Sequence, residues 1–177
     1  MLKKFILVML GVVALFAAYV AMLPSAFSVE RQATIAAPPA AVFAQVNDFH
    51  KWQDWSPWAK LDPNAKAIFE GAPTGEGAIF GWSGNGEVGE GRMTITESKP
   101  NERIAMRLDF AKPMQATNAT LFTFAPEGEG TRVTWRMSGE NNFIGRAVCL
   151  FMDMDKTVGG MFEKGLANLN GVVTAKP

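Results

Sequence analysis

A chain of 177 residues with 17 basic and 17 acidic side chains has no net charge to draw it onto nucleic acid, and nucleic-acid binding is not expected. Its one cysteine, Cys149, excludes an internal disulfide, and its one histidine, His50, excludes a multi-histidine metal site. Stability has to come from packing, for which the 48% of hydrophobic residues provide the material.

The chain opens with an uncharged run from Phe5 to Phe27, preceded by Lys3 and Lys4 and followed by Glu30 and Arg31. A bilayer core of about 30 Å needs about 20 apolar residues in a helix, so residues 1–28 are expected to form a single-pass anchor that meets the membrane through residues 5–27. The excess of positive charge before the run sets the N-terminus in the cytoplasm and the rest of the chain on the outer, periplasmic or extracellular side. The rival reading is a cleaved signal peptide, whose apolar core is usually about 7–15 residues long and ends in a small-x-small site. This run is overlong for that, and it offers only poor matches such as Ala18-Tyr-Val-Ala21. Either reading exports the remainder of the chain.

Residues 29–177 read as one domain without repeat or linker. A first strand is expected around Val29 to Ala36. Pro38-Pro39 then opens a short helix over Ala40 to Asn47, with Val42, Phe43 and Val46 at helical spacing. The aromatic stretch from His50 to Trp58 reads as a turn of helix and a loop. Its tryptophans at 52, 55 and 58 either form a mouth over a cavity or pack on the small helix. From Ala65 to about Gly139 the hydrophobic period becomes two. Breaks at Gly71–Gly75, Ser83–Gly86, Lys99–Asn101, Lys112–Pro113 and Glu127–Gly130 imply six consecutive antiparallel strands. Ile104, Met106, Leu108 and Phe110 alternate with polar neighbours, as do Val133, Trp135 and Met137, so one face is apolar and the other meets water. After Asn142, a capping residue, Ala147, Phe151, Met154, Val158, Met161, Phe162, Leu169 and Val172 step by three or four, which predicts one long amphipathic helix. Its Gly159, Gly160 and Gly165 point to a close approach to the sheet or to a bend.

A sheet that curls around such a helix leaves a space between them. The side chains expected to line it are Phe69, Phe80, Trp82, Met93, Met106, Phe110, Phe122, Trp135, Met154 and Phe162, with Trp55 from the aromatic stretch. Each also suits a filled core. Asn118 and Thr120 are in phase with Phe122 and Phe124 and so point inward, an amide and a hydroxyl among aromatics. Nothing assembles into a catalytic set, and no cofactor or metal is expected. His50 sits in a polar stretch as a surface or cap residue. Asp153 and Asp155, two apart on a helix, cannot share a proton and read as solvated or capping charges. Glu90 and Arg92 share a strand face, either as an outer ion pair or as a polar handle in the cavity. Gly84-Asn-Gly-Glu-Val-Gly89 has the spacing of a dinucleotide fingerprint, but it leads into a strand rather than a helix and reads as a tight hairpin turn at Asn85-Gly86.

Several strings carry a likeness: Val29-Glu-Arg31, Trp55-Ser-Pro-Trp58, Glu90-Gly-Arg-Met-Thr-Ile-Thr-Glu97, Ser138-Gly-Glu-Asn-Asn-Phe143 and Phe151-Met-Asp-Met-Asp-Lys156. With the order of elements, they resemble the bacterial polyketide cyclase/dehydrase-like branch of the START/Bet v 1 (SRPBCC) superfamily, over nearly all of residues 29–177. The resemblance implies an α+β helix-grip fold, in which a curved antiparallel sheet wraps a long C-terminal helix over a cavity for lipids, sterols or polyketides. It implies fold strongly and reaction weakly, since members include transporters, cyclases and binders. Three functions remain open: a membrane-tethered binder of a hydrophobic small molecule, a cyclase or dehydrase without cofactor, and an envelope interaction protein with a vestigial pocket.

Overall fold

The computed structural model of the protein describes residues 1–175, so the last two positions of the expected domain lie outside the described residues. Helix α1, Leu2–Met22, contains an 18-residue stretch of mean hydropathy 2.6, long and apolar enough to cross a membrane. The apolar run is cut before Pro24. Leu23 leaves the helix in an extended conformation, as the residue before a proline prefers, and Ala26 and Phe27 already belong to strand β1, Ala26–Ile35.

Helix α2, Pro39–Val46, starts on the proline pair, buries Val42, Phe43 and Val46, and is followed by the one-turn helix α3, Trp52–Trp55. Short 3-10 turns at Phe49–Lys51 and Pro57–Lys60 flank α3. The six strands expected from the alternation are all present: β2 Lys66–Gly71, β3 Ala78–Ser83, β4 Glu90–Lys99, β5 Arg103–Lys112, β6 Ala116–Glu127 and β7 Gly130–Glu140. They form one antiparallel sheet in the order β1-β7-β6-β5-β4-β3-β2. The concave face buries Ile104, Met106 and Leu108 on β5, Asn118, Thr120, Phe122 and Phe124 on β6, and Val133, Trp135 and Met137 on β7.

The turn between β3 and β4 is wider than a two-residue hairpin. The Gly84 N–H donates to Gly89 O, and the Asn85 side chain accepts from the N–H groups of Glu87 and Val88. The left-handed residue is Gly89 (φ 69°) rather than Gly86, and a Cβ there would strike the carbonyl of Lys112.

The C-terminal helix is likewise not one but two, α4 (Phe143–Cys149) and α5 (Met154–Thr174). The Asn142 side chain accepts from the Gly145 N–H (2.8 Å), the expected cap, but Asp153 caps a second start by accepting from Lys156 N–H (2.9 Å). Periodicity runs through the junction, yet Phe151 is 84% exposed. Two of the three glycines let α5 approach the sheet: a Cβ on Gly159 would collide with the Arg31 guanidinium, and one on Gly165 would lie 2.7 Å from the Trp135 ring. Arg31 in turn binds α5, donating to Glu163 (2.6 Å) and Asp155 (2.8 and 2.9 Å). Asp155 is thus a solvated charge, as expected, that also pairs with Arg31, and Asp153 is the capping one.

The outer face is laced with pairs between strands. Glu90 bonds Lys112 (2.7 Å) and Arg92 bonds Glu70 (2.9 Å), so both lie on the outer face but with other partners than each other. Hydrogen bonds from arginines hold four carboxylates below their ordinary range: Asp155 by Arg31, Glu30 by Arg136, Glu97 by Arg103 and Glu127 by Arg132. A carboxylate depressed on folding contributes stability that is complete above its unfolded pKa and disappears as pH falls through its folded one. The melting temperature is thus expected to hold from neutrality to mildly acidic pH and to fall below a pH of about 4. Asp155→Asn should flatten that fall, and added salt should weaken it because the pairs are exposed. A melting temperature constant down to pH of about 2 would contradict these pairs.

Candidate functional site on the concave face

One part of the space between sheet and helices is filled. The indole N–H groups of Trp52 and Trp55 donate to the carbonyls of Val46 (2.9 Å) and Gln45 (3.4 Å), which pins α3 to the end of α2 and drives both rings inward. Trp55 is fully buried and Trp52 nearly so; they pack in the core and form no mouth. Trp135 stacks on Phe162 of α5 (4.2 Å between ring centres, 10° between planes) and lies against Phe122 (4.7 Å). Trp55 and Trp58 meet it edge-on at 5.7 and 5.8 Å. Of the expected lining residues, Trp55, Phe122, Trp135 and Phe162 are thus gathered in this packed part.

The other part is built by register. Cross-strand partners place Phe69, Phe80, Met93, Leu108, Asn118, Gly139 and Phe27 in one row across the whole sheet. A second row holds Ile95, Met106, Thr120, Met137 and Val29. Phe80, Met93, Trp82 and Phe110 are half-buried, with Trp82 edge-on to Phe110 (5.8 Å) and beside Phe80 (6.0 Å). Asn118 is the one polar side chain in the first row. It is 8% exposed, its Oδ1 is buried without a hydrogen-bond partner, and its Nδ2 reaches only the Met137 sulfur at 3.9 Å. Gly139 makes the room for it, since a Cβ there would overlap Asn118 Oδ1. The Trp135 Nε1 donor is also buried and unpaired.

A cavity lies at each end of the first row. The larger, of about 660 Å³, is lined by Phe27, Asn141, Cys149, Leu150, Met152 and Met154 among others. The smaller, of about 170 Å³, is at the β2 edge beside Phe69, which stacks on His50 (4.1 Å) and is itself partly exposed. Asp48 accepts from the His50 backbone N–H and sits 3.1 Å from its Nδ1, so Asp48 is the cap and His50 an exposed surface residue. Among the described residues the buried polar side chains are Ser56, Asn118, Thr120 and Thr131, none of them titratable near neutral pH. No three metal-ligating side chains come together among the described residues.

Phe27, Gly139 and the loop residues Leu150 and Met152 were not expected at a site. Hydropathy assigns Phe27 to the membrane run. Gly139 does carry a signal, since a glycine within a strand marks a close approach.

A curved antiparallel sheet closed by the long helix α5 over an apolar concave face defines a helix-grip domain of Bet v 1-like fold. The chain belongs to the polyketide cyclase / dehydrase and lipid transport family, whose model matches residues 26–174. Among solved structures it is similar to MLL2253 from Mesorhizobium loti, at 19% identity over 85% of this chain and 100% of that one, with a TM-score of 0.60. TTHA0849 from Thermus thermophilus (20% identity, 83% of this chain and 97% of that one, TM-score 0.59) and Ara h 8.0201 (12%, 85% and 99%, 0.57) are also similar. Identities this low speak for the fold alone. No protein of curated function matches the chain.

Proposed function

We propose that the chain is a membrane-tethered binding protein for an amphipathic, lipid-like or polyketide-like molecule. Helix α1 holds it in the membrane with the N-terminus cytoplasmic and the domain on the outer side. The ligand lies at the Phe27 end of the first row, with its apolar body against Phe27, Met152 and Met154 and a hydroxyl or amide N–H turned to Asn118. The observation that carries this reading is the buried, unpaired Oδ1 of Asn118 in an otherwise apolar row. An acceptor left without a donor costs about 1–3 kcal/mol, and a ligand donor that removes the penalty gains specificity from it. The family description, which includes lipid transport, supports the reading, as does the 660 Å³ cavity, which is lined by Phe27 at the end of the row though not by Asn118 itself. Cyclase or dehydrase chemistry needs a group that moves a proton, and the buried amide and hydroxyls favour binding instead.

Full-length protein purified in native membrane discs is expected to release a small amphipathic molecule on solvent extraction, identified by mass spectrometry. Asn118→Leu should weaken binding of a dansyl-labelled long-chain fatty acid about tenfold, the equivalent of about 1.4 kcal/mol. The same variant should keep or slightly raise the melting temperature, because the unsatisfied oxygen is gone. Unchanged probe affinity in Asn118→Leu would remove the amide from the site. Failure to find either an extracted molecule or probe binding would defeat the binding reading.

A further inference from the structure

We propose that α4 and the loop after it form an interfacial surface that lies in the outer leaflet of the bilayer; this rests on α1 being the anchor. Beyond Met22, eight large hydrophobic side chains are exposed among the described residues, and five of them fall between positions 143 and 152. They are Phe143, Ile144, Leu150, Phe151 and Met152, the last three next to one another in the loop. So dense a cluster has no counterpart elsewhere on the domain, where the remaining three are Ile68 with Phe69 and, apart from them, Met114.

Its place in the fold indicates the covering phase. Helix α4 packs against the last turns of α1, where Val20 is buried. The Arg146 guanidinium donates to Ala21 O (3.0 Å) and Leu23 O (3.2 Å), carbonyls at the end of α1, and lies over the Phe143 ring. At about 1.5 Å per residue, the 21 residues of α1 come to about 30 Å, the thickness of the hydrocarbon core, so its last turn ends at the outer boundary. A helix fixed beside that turn is held at the boundary too. Its apolar side chains then enter the acyl region by the depth of an interfacial helix, about 5–10 Å. Charge agrees: from Phe143 to Met152 the one charged residue is Arg146, which suits the level of the lipid phosphates. Leu150, Phe151 and Met152 of this surface, with Leu23 at the end of α1, also line the 660 Å³ cavity. Its ligand is therefore drawn from the lipid phase and not from water.

The test uses the full chain in vesicles of phosphatidylcholine and phosphatidylglycerol, in a Cys149→Ser background. Single cysteines carry an NBD fluorophore: Phe151→Cys and Ile144→Cys on the surface, Val12→Cys within α1, and Glu129→Cys in the β6–β7 turn as a water control. At positions 151 and 144 the emission is expected to shift to the blue, lose quenching by iodide and gain quenching by doxyl-labelled lipid, as at position 12. Position 129 should remain open to iodide. If position 12 reports lipid while 144 and 151 report water, the anchor stands and the interfacial surface is refuted. Shielding from iodide without quenching by doxyl lipid would show a protein partner or second copy there, which also refutes it. Water at position 12 removes the anchor and the proposal together. Phe151 and Ile144 are exposed, so their replacement leaves the packed core untouched.

Discussion

Trp135→Ala is expected to lower the unfolding free energy of the domain by about 3–5 kcal/mol, the range for truncating a buried tryptophan or phenylalanine. Trp135 is where the sheet, α3 and α5 meet. It stacks on Phe162, rests on Phe122 and takes the edges of Trp52, Trp55 and Trp58. Those neighbours have little freedom to close the void. The indole N–H groups of Trp52 and Trp55 are anchored to backbone carbonyls at the end of α2, and Arg31 holds α5 to β1 through Asp155 and Glu163. At about 2–4 °C per kcal/mol for a domain of this size, the melting temperature should drop by roughly 10 °C. Trp135→Phe is the informative companion. It removes an indole N–H that is buried without a partner, so its cost should be far smaller than its lost volume suggests. Thermal and urea unfolding of both variants give the comparison. A loss of less than about 1 kcal/mol for Trp135→Ala, the ordinary value for a point mutation, would mean the rings are not packed as described.

Gly165→Leu should cost about 3 kcal/mol, at the upper end for overpacking a core, and Gly165→Ala about 1–2 kcal/mol. The alanine variant is the stricter test because helix propensity opposes the effect, favouring alanine over glycine by about 1 kcal/mol. The clash wins because of what the Cβ meets. At Gly165 it would lie 2.7 Å from Trp135 Cζ3 and 3.2 Å from Pro57 Cδ, two rigid rings already in the core. At Gly160, one turn and a half earlier, nothing beyond the helix's own nearby backbone lies within 4 Å of such a Cβ. Gly160→Ala is accordingly expected to stabilise by up to about 1 kcal/mol. Opposite signs for the same substitution on one helix are the result to look for in chemical denaturation. Two stabilising alanines would mean that α5 stands off the sheet at Trp135.

Local patterns carried much of the fold. Alternation of period two and the Gly, Pro and Asn breaks between runs mark six strands because side-chain direction along a strand is set by the backbone itself. The same period put Asn118 and Thr120 inward, where both are buried. Two boundaries were not legible. The apolar run gives no sign that Phe27 belongs to β1, since a lipid-facing helix and a buried strand position ask for the same side chain. The step of three and four continues from α4 into α5, so the second cap at Asp153 is hidden within an unbroken stripe.

By itself the sequence determined the apolar N-terminal helix, the order of strands and helices, the capping at Asn142 and the inward phase of β6. Each depends on neighbours a few residues apart. Whether the aromatic side chains fill the grip or line a space in it was decided by tertiary structure alone. Trp135, Phe162 and Trp55 come from three separate elements, and no local pattern tells ring stacked on ring from ring facing a cavity. Tertiary structure also placed the open end at Phe27 and Met154 beside the end of α1, because that place exists only once β1 pairs with β7 and α4 packs on the helix that precedes them both.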